Sequence, residues 1–456
     1  MPDKLSTKPP AGTRDFLPDD VRRREHVVGV IRGVYERHGF EPLETPAFEN
    51  IETLLGKYGE EGNKLIFKIL KRGEHEHTGE ADLALRYDLT VPLARVVAQY
   101  QNELPKFFKR YQIQPVWRAD RPAKGRFREF YQCDIDALGS TSPVVEAELL
   151  AAVCDSLAAL GFGDFVVRLN HRRVLGGVLD AAGIPPAQQG DALVAIDKLD
   201  KIGPDGVAKE FAARGIPARA GTLALETFAL KASSNADALG ALAATASAEA
   251  AGIANLTAIV ELCEGTAAAG RVRIDPSLAR GLSYYTGAIM EVAVPDLAGS
   301  LGGGGRYDNL VGMFLGRDVP ACGFSLGLER IIVVMTERRM FPPAVAGGGV
   351  DVMVTLWNAE AEGDALRLAA DLRRAGLRVD VYPEADKLAK QLKYASTRGV
   401  PMVAVIGDNE RGRGEVAIKD MRSGDQTPVP RAAAAAFIER ALERKATAES
   451  ADRAER

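Results

Sequence analysis

The chain is poor in the residues that build metal centres and disulfide scaffolds. Its four cysteines, Cys133, Cys154, Cys263 and Cys322, are scattered over 456 residues with no CxxC pair and no Cys/His ligand spacing. That argues against a zinc site and a disulfide framework, and for a reducing compartment. Of five histidines only His75 and His77 stand close together, in a segment that reads as a surface turn. No run of about 18 apolar residues occurs, so no membrane-spanning helix is expected. The opening residues Met1 to Pro10 lack the apolar core of a secretory leader, so the expected location is the cytoplasm. No Gly-Lys-Ser/Thr follows the glycine cluster and no G-x-G-x-x-G opens a βαβ unit, which excludes P-loop and Rossmann nucleotide sites. A net charge of −4 excludes broad nucleic-acid binding through a basic surface.

What is present is local. The length predicts two or three domains. Between Glu103 and Phe130 eight Lys/Arg face three Asp/Glu, a basic patch suited to a polyanion touched in one place. Within it, Val116 to Asp136 carries a cationic stretch around Pro122 and Gly125 and then alternates aromatic, amide and acidic residues. Two strands joined by a basic loop are predicted, over Lys106–Trp117 and Arg128–Ala137. Arg118 and Arg126 bracket the loop, where fixed charge and bidentate donors suit phosphate oxygens. Alone, the pattern equally fits a solvated hairpin. Phe130, Gln132, Asp134 and Asp136 share one strand face, which is either solvent-exposed or the wall of a polar cavity.

Further motifs follow. Arg280-Gly281-Leu282-Ser283-Tyr284-Tyr285 precedes a strand, and Gly302 to Gly305 lead into Arg306-Tyr307-Asp308. Such glycines allow a ligand or a second strand to approach closely, or form a flexible loop. Ala321 to Arg330 runs from a small-residue strand into a helix, and Arg330 among apolar neighbours needs a partner or an anion. Helical periodicity covers Val21–His38, Val91–Gln101 and Ser142–Leu160. Residues 175–265, rich in Ala and Asp, read as a helical insertion, 336–349 as a linker, and the remainder as alternating strands and helices with a parallel core.

Taken together these segments resemble the histidyl-tRNA synthetases, class II aminoacyl-tRNA synthetases, over essentially the whole chain. Gly12 to Pro18 with Gly39 to Pro46 resemble the opening and motif 1, Val116–Asp136 motif 2, and Gly323–Arg330 motif 3. The segments at Arg280–Tyr285 and Gly304–Asp308 resemble the two histidine-specific signatures, with Ser283 where the family usually has Asp. The wording of Leu85–Thr90 and Phe130–Asp134 looks closer to the eukaryotic-type branch. The resemblance implies an α+β fold: a class II catalytic core (1–174 and 266–335) with an antiparallel sheet flanked by helices, the helical insertion, and a C-terminal α/β anticodon-binding domain (350–456). It also implies residue roles. Asp88, Thr90 and Gln132 would hold the substrate's α-amino group, and Asp136 and Tyr285 would read the imidazole with Tyr307 nearby. Arg118, Arg126 and Arg330 would hold ATP phosphates, Phe130 would stack adenine, and Arg280 would sit at the α-phosphate, so that Arg280 and Arg118 carry catalysis. The implied partners are ATP with Mg²⁺, L-histidine, histidine tRNA and a second copy of the chain, with no dedicated protein metal site and no membrane. The alternatives are a non-aminoacylating paralogue regulating histidine biosynthesis and a tRNA-sensing binding module.

Overall fold

The computed structural model describes residues 5–73, 77–279, 284–297, 299–342, 345 and 349–443. The chain divides into two compact units, one of residues 1–15 and 27–340 and the other of 16–26 and 341–456.

In the first unit the strands are β1 Glu41–Pro42, β2 Phe48–Asn50, β3 Lys68–Leu70, β4 Ala81–Leu85, β5 Phe108–Trp117, β6 Glu129–Leu138, β7 Val166–His171, β8 Val272–Ile274, β9 Ala288–Ala293, β10 Gly302–Arg306 and β11 Ala321–Gly327. Eight of them form one sheet in the order β1-β5-β6-β11-β10-β9-β7-β8, and β2, β4 and β3 form a small second sheet. The large sheet is antiparallel through its centre, but β1 with β5 and β7 with β8 pair in parallel at its edges. It is therefore mixed rather than wholly antiparallel. Both edge strands are short, two and three residues, and their direction follows from the connections that bring them in from elsewhere in the chain.

The predicted hairpin is present with strands two residues shorter at the start of β5 and one later in β6 than the periodicity indicated. Helix Pro18–Arg37 buries Val27, Ile31, Val34 and Tyr35, a spacing of three to four residues that keeps one stripe inward. The Tyr35 hydroxyl donates to the Cys133 carbonyl at 3.0 Å, fixing that helix to β6. Helix Val144–Ala159 is buried along most of its length, and helices between Arg172 and Cys263 occupy the segment read as an insertion.

The glycine cluster is a strand, not a loop. β10 lies between β11 and β9, and its glycines let three strands crowd together. A Cβ on Gly304 would lie 2.0 Å from the Gly323 carbonyl oxygen, backbone against backbone. Arg306 at the end of β10 is buried and held bidentately by Glu146, with N–O distances of 2.6 and 2.8 Å. The two charges thus satisfy each other away from water, which is the condition for burying them.

The second unit contains β12 Val352–Val354, β13 Val379–Val381, β14 Met402–Val405, β15 Glu415–Asp420 and β16 Gln426–Pro430, in the order β13-β12-β14-β15-β16. β12 pairs in parallel with β13 and β14, and β15 and β16 add an antiparallel hairpin. Val352, Val354, Leu368, Leu372, Ile406 and Ile438 are among the residues of its core. Among the described residues no single helix is long and apolar enough to cross a membrane.

Gly304→Ala is expected to destabilise the first unit by about 3 kcal/mol or more, because neither backbone can move away. Gly240→Ala, in open space on helix Asn235–Thr245, is expected to gain about 0.5–1 kcal/mol. Urea unfolding of both variants checks this, and equal midpoints would refute the close-packing argument.

Candidate active site

The register of three strands assembles a polar floor. Across β5 and β6, Arg110 opposes Asp136, Gln112 opposes Asp134 and Gln114 opposes Gln132. Across β6 and β11, Asp136 opposes Gly323, Asp134 opposes Ser325 and Gln132 opposes Gly327. Directly opposed side chains share one sheet face, so six polar groups of β5 and β6 meet a glycine-rich strand. Of the two readings open for the Gln132–Asp134–Asp136 face, the structure has the buried one: all three are at most 7 % exposed.

Asp136 is the most constrained of them. Tyr307 donates its hydroxyl to Asp136 Oδ1. Arg110 Nη2 lies 2.8 Å from Oδ2 as an ion pair, and Oδ2 accepts no hydrogen bond among the described residues. Arg110 is itself fully buried and donates to Leu89 O and Gln112 Oε1 at 3.2 Å. Burial raises the Asp136 carboxyl above the usual range, opposed by Arg110 and Tyr307. Gly323 makes this arrangement possible, since a Cβ there would stand 1.9 Å from Asp136 Oδ1.

Asp134 is pushed up to about 7, first by burial and against the pull of Arg110, with the neighbouring Asp136 carboxylate adding to the rise. Gln132 donates to Ser325 Oγ at 2.8 Å, and its Oε1 is buried without a donor among the described residues. Asp88 has the same property. Its Oδ1 accepts from the Tyr58 hydroxyl and the Val91 N–H, each at 3.0 Å, while Oδ2 is buried and unpartnered among the described residues. Burial raises the Asp88 carboxyl, opposed by the Val91 N–H and by Arg118. Thr90, at the start of helix Thr90–Gln99, bonds the Tyr284 phenol, whose ring meets those of Tyr285 and Tyr307 edge-on at 4.9 and 6.0 Å. The Tyr285 ring closes over Gly305, where a Cβ would come within 2.8 Å of it.

The arginines divide into two groups. Arg118 donates to the Tyr87 carbonyl at 3.0 Å and lies over the rings of Tyr87 and Phe130, 4.3 and 5.1 Å from their centroids. Arg118 and Phe130 are therefore adjacent. Arg330 donates to Ser300 O at 2.5 Å, which supplies the partner its apolar setting demanded. It also lies near the basic loop, since a Cβ on Gly125 would be 3.5 Å from its Cγ. Arg126 is held bidentately by Asp120 at 2.9 and 3.1 Å, so a phosphate would compete with an existing carboxylate. Arg280 and Ser283 lie outside the described residues.

Sequence reasoning missed Arg110, Ser325, Tyr58 and Arg86. Arg86 is 1 % exposed and donates to the carbonyls of Thr45, Pro46 and Pro115 at 2.6, 3.0 and 2.8 Å. It ties the motif-1-like segment to β5. Burial pulls its guanidinium down to about 10. The signal for Arg110 was available: Arg110, Gln112 and Gln114 alternate along β5 as Gln132, Asp134 and Asp136 do along β6. For Arg86 no periodic signal exists, because its partners are carbonyls from two separate segments, Thr45–Pro46 and Pro115.

A family model described as histidyl-tRNA synthetase matches residues 12–331, and one described as an anticodon binding domain matches residues 350–441. The chain belongs to the histidyl-tRNA synthetase family. Among its curated relatives, the histidine–tRNA ligase of Gloeobacter violaceus is 42 % identical, over 94 % of this chain and 97 % of that one. That of Porphyromonas gingivalis is 43 % identical, over 93 % and 97 %. The crystal structure of histidyl-tRNA synthetase from Nostoc sp. PCC 7120 matches with a TM-score of 0.80 at 32 % identity, covering 96 % of this chain and all of that one. An ATP phosphoribosyltransferase regulatory subunit/histidyl-tRNA synthetase from Bacillus halodurans matches at 0.72 and 21 % identity, which shows a shared fold. The family is one of ATP-dependent aminoacyl-tRNA ligases. The leaning toward a eukaryotic-type branch is not supported, since these relatives are bacterial.

An acid whose folded value lies above its unfolded one stabilises the fold while protonated and loses that contribution as pH rises through the folded value. For Asp134 the window runs from the ordinary value of 3.8 to about 7. Relative to Asp134→Asn, the ligand-free protein is expected to lose stability steadily between about pH 4 and about pH 7. Parallel stability–pH curves for the two proteins in urea titrations would rule out a buried, proton-holding Asp134.

Proposed function

We propose that the chain activates histidine with ATP to histidyl-adenylate and pyrophosphate, then transfers histidine to the 3′ end of its tRNA. The observation that carries this reading is the pair of buried acceptors without a donor among the described residues, Asp88 Oδ2 and Gln132 Oε1, near the Arg118–Phe130 pair. An ammonium group offers three donors and no acceptor. Bound there, it would return to Asp88 the stabilisation that burial has removed. Thr90 completes this amine pocket.

The imidazole falls to Asp136 and Tyr285. Arg110 and Tyr307 hold Asp136 in one orientation and leave Oδ2 able to accept the ring N–H. Adenine stacks on Phe130, and Arg118, Arg330 and Arg126 bind the phosphates, with Arg126 first releasing Asp120. Arg280 is assigned to the α-phosphate. The histidine carboxylate attacks the α-phosphorus in line, and the bond to pyrophosphate breaks with its electron pair leaving on pyrophosphate. Positioning and fixed positive charge carry most of such a step. The terminal ribose hydroxyl of the tRNA then attacks the adenylate carbonyl and expels AMP.

Among the described residues no group of His, Cys, Asp and Glu forms a metal cradle. Magnesium would arrive with the nucleotide in this reading. A homodimer in the cytoplasm, joined through the segment around Pro46, completes the proposal.

Histidine-dependent ATP–pyrophosphate exchange is the test. Asp88→Asn and Gln132→Ala are expected to raise KM for histidine by about tenfold to a hundredfold, the worth of a charge-assisted hydrogen bond. Exchange driven equally by another amino acid would sink the specificity. Undiminished exchange in Arg280→Ala would remove that residue from the mechanism.

A further inference from the structure

The glutamines of the polar floor are not oriented alike. On β5 the amide carbonyls are capped by arginines: Gln112 Oε1 accepts from Arg110 at 3.2 Å, and Gln114 Oε1 accepts from Arg86 at 3.0 Å. Gln132 on β6 is the reverse. Its Nε2 is the bonded end, donating to Ser325 Oγ at 2.8 Å, and its Oε1 is buried with no donor among the described residues. The two ends of an amide are nearly alike in size and shape, so packing alone does not choose which one faces a neighbour. A hydrogen-bond partner has to choose.

Ser325 makes the choice through Asp134. The β6–β11 register sets Ser325 directly opposite Asp134. The Ser325 hydroxyl bonds the Asp134 carboxyl and so opposes the rise that burial imposes on it. A hydroxyl has one proton to give and two lone pairs, whereas a carboxylate can only accept. With its proton committed to Asp134, Ser325 has only lone pairs to offer Gln132. The amide therefore turns its NH₂ group to Ser325 and leaves its carbonyl oxygen free. Gln132 Nε2 also lies 3.5 Å from Asp134 Oδ1, which favours the same orientation. The bonds run one way, from Gln132 through Ser325 to Asp134.

Ser325 is itself firmly placed. Its strand lies between β6 and β10. Its carbonyl oxygen packs against Gly302, where a Cβ would collide with it. Phe324 and Leu326, on the opposite strand face, are both at most 2 % exposed.

We propose that Ser325 is a positioning residue for amino-acid binding, locking the Gln132 amide so that Oε1 is presented to the α-ammonium group of the substrate. The proposal rests on the amine pocket argued above and adds the residue that gives that pocket its polarity. With the amide reversed, its NH₂ group would meet the ammonium donor to donor, and a buried hydrogen bond would go unmade on both sides. Ser325 acts through Gln132 and not on the substrate directly.

The test is a double-mutant cycle in histidine-dependent ATP–pyrophosphate exchange, with Ser325→Ala, Gln132→Ala and the two combined. It is run at about pH 8, above the value of about 7 to which Asp134 is pushed, so that Asp134 accepts. Ser325→Ala deletes one oxygen and is expected to raise KM for histidine about fivefold, with the effect on KM rather than kcat. Added to Gln132→Ala it is expected to change nothing further. Imidazolepropionate, which is histidine without its amine, is expected to inhibit the native protein and Ser325→Ala with the same Ki. An unchanged KM in Ser325→Ala overturns the proposal, as do additive effects in the combined variant or an equal weakening of the amine-free analogue. If the native protein shows no exchange, the activity reading fails instead. Calorimetric binding of histidine to the same four proteins then decides the role of Ser325 by the same pattern, and no binding to the native protein overturns both.

Discussion

The ion pair between Arg110 and Asp136 is the constraint on which the catalytic unit depends. Three carboxylates, Asp88, Asp134 and Asp136, are each at most 2 % exposed within one site, a density of acid that burial alone would force to protonate. Arg110 is the buried cation that limits this, and both Asp134 and Asp136 feel it. It reaches Asp136 only because the β5–β6 register sets the two directly opposite each other. A slip of one residue would turn the whole polar row of either strand to the other face. The hairpin register and the electrostatics of the site are therefore one requirement.

The glycines of β10 and β11 are the steric side of the same requirement. Asp136 occupies space that any side chain at position 323 would take, and Tyr285 occupies the space above Gly305. The strands that complete the sheet beyond β6 thus contribute backbone and almost no side chain at these positions. Glycine weakens a strand in isolation. Here the loss is offset by placing these strands in the interior of an eight-stranded sheet and by the buried Arg306–Glu146 pair at the strand's end.

Much of this was legible in the sequence because it is periodic or local. The alternation from Phe130 to Asp136, the helix stripes and the alternating order of the second unit all report which face is inward, and the structure has them. The burial of the alternating face was not legible, since period two marks a shared face without saying what covers it. Arg86 and Tyr58 were invisible for a different reason. Each is defined by partners far away in sequence, such as Tyr58 with Asp88, and neither its residue type nor its spacing marks its tertiary role. The glycine cluster was ambiguous between loop and strand because glycine has no side chain to show a period. Only the flanking strands resolve it.

Selectivity follows from the same desolvation that makes the site costly to build. Asp88 Oδ2 is a buried acceptor without a hydrogen-bond donor among the described residues, and Asp136 Oδ2 has the Arg110 ion pair beside it, so the free site bears part of the penalty of removing them from water. A ligand that supplies donors at both places recovers that penalty. In the reading proposed above, one that supplies only the amine leaves Asp136 with Arg110 and Tyr307 alone. Sites of this kind reject analogues lacking the polar group by factors of about 10⁴ or more, whereas apolar pockets discriminate by a methylene at a time. Histidine alone among the ordinary amino acids offers two ring nitrogens beside its amine. In the reading proposed above, a constrained Asp136 beside Tyr285 and Tyr307 would let such a floor discriminate at the first binding step.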